Sequence, residues 1–152
     1  PMVMLWGEDG IMLYNDAYSV FAGGKHPAQL GMPVREGWPE VADFNDHVMK
    51  VGLAGGTLSF RDQELVLHRG GGPETVAMNL DYSPVLGDDG RPQGVLAVVI
   101  ETTDRLRAER ELKERAERLA FFDRLSEAIK SLASPTEIMA VTARLLGEHL
   151  QA

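Results

Sequence analysis

Several apolar rhythms run along this chain, and each predicts a different kind of element. The short apolar runs Met2–Trp6 and Ile11–Tyr14 flank the turn cluster Gly7-Glu8-Asp9-Gly10, so residues 1–14 read as a β-hairpin. Asn15 and Asp16 then precede the apolar stretch 17–22. A side-chain oxygen in that place accepts from a free amide of the first helical turn, so a short helix starts there and Gly23-Gly24 stops it. Pro33, Gly37 and Pro39 punctuate a loop that carries Trp38. Over 39–54 the period lengthens. Val41, Phe44, His47 or Val48, and Val51 recur at spacings of three and four, which predicts a helix ended by Gly55-Gly56.

Period two returns in the next segment. Over 57–69, Leu58 and Phe60 are followed by Leu65 and Leu67, and the slip in phase between Arg61 and Glu64 predicts a β-bulge. After the turn Gly70-Gly71-Gly72-Pro73, Val76, Met78, Leu80 and Tyr82 alternate with Thr75, Ala77, Asn79 and Asp81, as in a half-buried antiparallel strand. The run 95–100 is apolar on both parities and predicts a central strand. The order strand, strand, helices, then three strands implies an α+β fold with one antiparallel sheet and helices on one side.

The last strand passes through Glu101-Thr102-Thr103-Asp104-Arg105 into a charged helical run predicted over 103–133. Its apolar positions, Leu106, Leu112, Ala116, Leu119, Phe122, Leu125, Ile129 and Leu132, form one stripe. Leu112, Ala116, Leu119 and Phe122 on that stripe read as the seam of a helical homodimer, since they otherwise face water. Glu109–Lys113, Glu111–Arg115 and Glu114–Arg118 are spaced for ion pairs worth about 0.3–0.5 kcal/mol each. Ser134-Pro135-Thr136-Glu137 is a capping box with proline at the first helical position, and the helix it opens presents Ile138, Val141, Leu145 and either Leu146 or His149 on one face. A stripe that needs a partner but stops with the chain reads as the start of a truncated second domain.

Composition narrows the function. The 152 residues are 44% hydrophobic and 25% charged, the balance of a folded chain. Net charge is −8, and residues 1–100 carry seven of those eight negative charges. An acidic domain repels phosphate backbones, so no nucleic-acid partner is expected. Cysteine is absent, which excludes disulfides, thiolate metal sites, thiol nucleophiles and any flavin photochemistry through a cysteine adduct. A cysteine-free chain is compatible with a reducing compartment, and a cytoplasmic location is the expectation. No apolar run approaches the roughly 18 residues of a membrane span, and no signal peptide pattern is present. The chain opens at Pro1 in mid-pattern, so it reads as a piece of a longer protein with no membrane segment of its own.

Some of these segments carry a family resemblance. Tyr14-Asn15-Asp16-Ala17-Tyr18 is similar to the Asn-x-Ala step between the second strand and first helix of PAS domains, the small sensory modules of bacterial signalling proteins. The join 101–105 resembles their closing Asp-Ile-Thr-Glu-Arg, with Glu101 in place of Asp and Thr102 in place of the apolar residue. Gly37-Trp38-Pro39-Glu40-Val41 and Asn79-Leu80-Asp81-Tyr82-Ser83-Pro84 resemble a subgroup found in soluble sensor histidine kinases, where a helix like 134–150 often opens a GAF domain. The resemblance covers about residues 1–105. It implies a five-stranded antiparallel sheet with helices on one face, a long C-terminal helix and a short terminal helix. The domains implied are a sensory domain over 1–104, a signalling or coiled-coil helix over 105–133, and the start of a truncated GAF-like domain over 134–152. It also implies a small ligand or cofactor between sheet and helices, a homodimer through the exit helix, and a rotation or register change passed to a downstream effector domain.

Tyr14, Trp38, Phe44, Phe60, Met78, Leu80 and Tyr82 can line such a cavity, with Asn15 or Asn79 as polar anchor for a small, mostly apolar or aromatic ligand. The same residues also read as plain core. At the join, Thr102, Thr103 or Asp104 can cap the helix and acids there suit its dipole, so Glu101, Thr103 and Asp104 are the signal-relay candidates. Some PAS relatives hold haem through a histidine on the helix that bears His47, which makes His47 the haem candidate. Its own spacing with Phe44 and Val51 reads instead as a partly exposed helical residue. Asp43, Asp46 and His47 share a helix face, read as solvated, and Gly55-Gly56 and Gly70-Gly71-Gly72 lack the Lys-Ser/Thr of a phosphate loop.

The expected function is a sensory and dimerisation module of a cytosolic signal-transduction protein, relaying a ligand or partner signal to a histidine kinase. No catalysis is expected of these residues, because the helix 103–133 has no His to accept a phosphoryl group and no nucleotide-binding glycine set is present. Three alternatives stay open. They are the same module ahead of a cyclic-dinucleotide enzyme or phosphatase, a small enzyme acting in the sheet cavity, and a ligand-free protein interaction module.

Overall fold

The computed structural model describes residues 1–130 and 134–150, except the side chains of His149 and Leu150. Leu132 and the end of the helix predicted to 133 lie outside the described residues, as does the side chain of His149. The chain forms two units, Pro1–Asp104 and Arg105–Ala152.

In the first unit, β1 (Met2–Trp6) and β2 (Ile11–Tyr14) are followed by α1 (Asp16–Ala22), α2 (Val34–Gly37) and α3 (Ala42–Leu53). Three-residue 3-10 turns at Gly23–Lys25 and Pro39–Val41 link the helices. Then come β3 (Leu58–Leu67), β4 (Glu74–Leu86) and β5 (Pro92–Glu101). The five strands make one antiparallel sheet in the order β2-β1-β5-β4-β3, the α+β architecture that the period changes predict. The hairpin turn between β1 and β2 needs its glycines, because Gly7 and Gly10 sit at φ 72° and 62°. β5 joins the two hairpins, pairing Leu5 with Val95 on one side and Tyr82 with Ala97 on the other.

Alternation decides what each strand buries. Val3 and Leu5 of β1, Met78, Leu80 and Tyr82 of β4, and Val95, Ala97 and Val99 of β5 are all buried in one core. β5 is central as predicted, but its second apolar parity is not covered: Leu96 and Ile100, with Met2, Trp6 and Leu13, are 36–51% exposed. The predicted bulge is present, with the register shifting between Phe60 and Gln63. Asp62 there adopts φ 50°, and its N–H donates to Asn79 Oδ1 at 2.9 Å.

Of the stripe read from sequence for α3, Val48 is buried and Val41 and Phe44 pack against the core, whereas His47 is exposed and the buried side also takes in Asn45, Met49 and Gly52. The cause is Gly52: a Cβ there would lie 2.3 Å from Val95 Cγ2, so bare helix backbone meets β5 and fixes which side faces the sheet.

α4 (Thr103–Lys130) starts with the last two residues of the first unit and continues in the second, and α5 is Pro135–Leu150. Leu112, Leu119 and Phe122 are 67%, 59% and 54% exposed. Glu109 accepts from Arg105 at 2.7 Å and Lys113 lies 3.9 Å from Glu117. These two pairs run cation first, the reverse of the Glu109–Lys113 expectation.

Candidate functional site

The inner sheet face and the three short helices line a partly open cavity of about 50 Å³. Its helical wall includes Tyr18 and Phe21 of α1, Trp38, and Phe44 and Asn45 of α3. Its sheet wall includes Leu65, Met78, Leu80, Tyr82 and Val99. Of the anticipated pocket residues, Trp38, Phe44, Met78, Leu80 and Tyr82 are therefore brought together.

Tyr14, Asn15, Phe60 and Asn79 are not in this wall. Asn15 Oδ1 accepts from the amides of Met2 and Tyr18, each at 3.0 Å, so it caps α1 and ties it to β1. Asn79 has the opposite parity on β4 from Met78 and Leu80, and its oxygen serves the bulge. The Tyr14 hydroxyl lies 3.2 Å from His26 Nδ1, while its ring stands 5.0 Å from that of Tyr18. Phe60 backs the wall, its ring 5.1 Å from Phe44 and 6.3 Å from Tyr82.

Sequence reading missed Tyr18, Phe21 and Asn45. For Asn45 a signal existed: Val41, Asn45, Val48 and Gly52 follow spacings of four, three and four, so a polar residue stands on an otherwise apolar helix face. For Tyr18 and Phe21 the three-residue spacing was present, but a seven-residue helix is too short for periodicity to show which side is inward.

The cavity is electrically neutral. No Asp, Glu, Lys, Arg or His is in its described lining. Trp38 Nε1–H donates to the Tyr18 oxygen at 3.0 Å. Burial pushes the Tyr18 phenol well above its usual range, with the Trp38 bond opposing and Tyr14 adding to the effect. Burial, then Tyr18, does the same to Tyr82. Both rings stay uncharged in any ordinary buffer.

Charge begins at the rim. Lys25 Nζ sits 4.3 Å from the Trp38 ring centre and donates to Gly37 O at 2.9 Å and Glu40 Oε1 at 3.1 Å. Glu40 also accepts from the His68 amide at 2.7 Å. Burial resists its ionisation, but its backbone bonds and Lys25 outweigh that and hold the carboxyl below its usual value.

The strand–helix join is bonded more densely. Arg69 donates to Glu101 at 2.8 Å and to Glu74 at 2.5 Å. It also reaches Phe21 O at 3.4 Å, and its guanidinium lies 4.9 Å from the Phe21 ring centre. Burial works against the Arg69 charge, and the two carboxylates more than offset it. The Thr102 hydroxyl donates to Asp62 Oδ1 at 2.7 Å, and Thr103 Oγ1 accepts from the Ala77 amide at 3.0 Å. The Thr102 and Thr103 hydroxyls thus bind the sheet, where a helix cap was expected: the β4–β5 ladder stops at Met78 opposite Glu101, and Thr103 takes up the next amide, that of Ala77. Asp104 stands in the first turn of α4.

The space available limits what can enter. A buried water takes about 10–15 Å³ on this measure, and a cavity that binds benzene is about 150 Å³. The present 50 Å³ holds a few waters or a very small molecule without movement of the wall. It is too small for haem or a flavin as it stands. His47 is exposed on α3 outside the wall, with Asp43 and Asp46, and Asp46 pairs with Arg35. Among the described residues no group of three or more His, Cys, Asp or Glu is placed to hold a metal ion.

Comparison with known proteins agrees with this geometry. A family model described as the PAS fold matches residues 2–107, and the chain belongs to that family. Among solved structures it is similar to the PAS domain of BvgS from Bordetella pertussis, at TM-score 0.54 and 22% identity over 78% of this chain and 88% of that one. It also resembles the VqmA dimer of Vibrio cholerae, at TM-score 0.52 and 20% identity, over 69% of this chain and 48% of that one. A sensory box sensor histidine kinase from Vibrio cholerae matches at TM-score 0.49 and 18% identity, over 67% and 80%. The comparison with curated proteins gave no match. Among the described residues no helix is long and apolar enough to cross a membrane.

Proposed function

We propose that this chain is the sensory and dimerisation module of a cytoplasmic signal-transduction protein. It takes a small ligand in the cavity and relays the change through α4 to a histidine kinase in the same protein. The supporting observation is a continuous set of contacts from cavity wall to helix start. Phe21 lines the cavity, Arg69 stacks on Phe21, and the same guanidinium holds Glu101, two residues before α4. A shift of the wall therefore changes the forces on the join. The exposed seam Leu112, Ala116, Leu119 and Phe122 supplies the dimer contact, and Thr103 with Asp104 stiffens the start of the helix.

The test is a fusion of this chain to a histidine-kinase catalytic core, read as autophosphorylation rate. Glu101→Ala is expected to change the rate about fivefold or more, the lower end of an allosteric coupling. This chain by itself is expected to sediment as a dimer and Leu112→Glu with Leu119→Glu to make it a monomer, and in the fusion the same pair is expected to abolish the response to Glu101→Ala. A rate indifferent to Glu101→Ala, or a seam variant that stays dimeric, would overturn the relay.

A further inference from the structure

We infer that the cavity selects a small, uncharged molecule that carries a hydrogen-bond acceptor, and that Asn45 Nδ2 is the donor that selects it. This rests on the ligand-binding reading above and names the chemistry of that ligand. Asn45 is 7% exposed and stands in the cavity wall, and among the described residues nothing accepts a hydrogen bond from its Nδ2. A buried amide N–H without an acceptor is costly, so native interiors nearly always supply one from protein, water or ligand. The other N–H donor in the wall, Trp38 Nε1, is already committed to Tyr18. Asn45 is thus the uncommitted side-chain N–H in a wall that also holds the Tyr18 and Tyr82 hydroxyls, each a donor or an acceptor as a ligand requires.

The same wall sets the ligand's charge. It holds no ionised side chain, and both phenols in it are kept neutral by burial. A carboxylate or ammonium entering it would lose its hydration with no counter-charge to meet it. Its size is bounded too, since a benzene-sized molecule needs about three times the present volume and must push the wall outward. Ketones, small lactones and uncharged nitrogen heterocycles meet these conditions, and hydrocarbons, carboxylates and amines do not.

Three small probes of one shape separate the possibilities: acetone, 2-methylpropene, in which CH₂ replaces the carbonyl oxygen, and the isopropylammonium ion. Each is titrated into the ¹⁵N-labelled whole chain and followed by NMR. The Asn45 side-chain amide signals are identified by their loss in Asn45→Leu. The ketone is expected to bind about tenfold tighter than the alkene, the worth of one neutral hydrogen bond. It is also expected to move the Asn45 signals, and Asn45→Leu is expected to erase the preference. Equal affinity for ketone and alkene, or a preference that survives Asn45→Leu, overturns the role of Asn45 and leaves the ligand-binding reading standing. Ammonium binding as tight as the ketone overturns the neutrality. If none of the three binds, the cavity is core space or holds only water, and the ligand-binding reading fails together with this one. Should Asn45→Leu not fold, the Asn45 side-chain signals are assigned in the ¹³C,¹⁵N-labelled wild type by triple-resonance spectra, and a ketone that binds without moving them overturns the proposal.

Discussion

Around the cavity the walls meet through rings and aliphatic side chains; around the strand–helix join they meet through ions and hydroxyls. Tyr18, Phe21, Trp38, Phe44 and Tyr82 crowd the first region, with the Trp38 to Tyr18 hydrogen bond inside its helical wall. In the second, Arg69, Glu74, Glu101, Asp62, Thr102 and Thr103 are bonded at 2.5–3.0 Å. The contrast matters because the two kinds of contact respond differently to a small displacement. Apolar contact is non-directional, so a wall can shift by a fraction of an ångström and keep most of its attraction. A charge-assisted hydrogen bond depends on angle and distance, so the same shift weakens or breaks it. The cavity side thus tolerates a small displacement that the bonds at the join do not. Phe21 belongs to both, as wall and as the surface on which Arg69 rests.

The sharpest way to break this contrast is to make the cavity side intolerant. Gly52→Leu forces a side chain into Val95, where even a Cβ would lie at 2.3 Å. Overpacking of this kind is expected to cost about 3 kcal/mol, read as a fall in melting temperature of about 10–20 °C by circular dichroism. A variant that melts within a degree or two of wild type would mean that α3 moves freely over β5, and the cavity wall would not be set by that contact.

A middle-sized effect tests the join. Arg69→Ala removes the bonds to Glu74 and Glu101, which are partly exposed, so a loss of about 1–2 kcal/mol is expected in urea denaturation. Arg69→Lys keeps the charge but not the planar fork that reaches two carboxylates, and is expected to recover less than half of that loss. Full recovery by lysine would show that charge alone holds the join, with no directional requirement. Hydrogen exchange at the Thr102 amide, which donates to Ala77 O at 2.8 Å, is expected to quicken in both variants.

The smallest effect lies on the rim, between the two regions. Glu40 has its folded pKa held below the unfolded value, so it contributes stability above the unfolded value that is lost as pH falls through the folded one. Glu40→Gln is expected to cost about 0.5 kcal/mol at neutral pH, discounted for solvent screening. The gap between wild type and variant should close as pH drops below about 4, the ordinary range of a glutamate. A gap that stays constant to pH 3 would assign the loss to packing and not to the Lys25–Glu40 pair.

Element types and their order were legible because they follow from local rules. Period two marked the strands and the phase slip before Glu64 marked the bulge. Asn15 and Pro135 stood where a helix start requires them. Five aromatic or apolar members of the cavity wall were legible for the same reason, since strand alternation and hydrophobicity mark the inward side. The two polar anchors inferred from sequence, Asn15 and Asn79, went elsewhere. Asparagine beside a helix start or a bulge is drawn to unpaired backbone amides, and that local demand took both oxygens. Asn45 stood inside a helix with no such amide within reach, and it faces the cavity because its helix is pinned from across the core.

By itself, then, the chain determined a cysteine-free antiparallel α+β module with a charged helix leaving its last strand. Composition and short-range periodicity carry that much, because they act between residues a few positions apart. Tertiary structure decided the rest. The order β2-β1-β5-β4-β3 and the face of α3 that meets the sheet depend on contacts such as Gly52 against Val95. The meeting of Arg69 with Glu101 and Phe21 spans 32 and 48 positions. No local rule reaches so far, since such contacts exist only once the helices have been laid across the closed sheet.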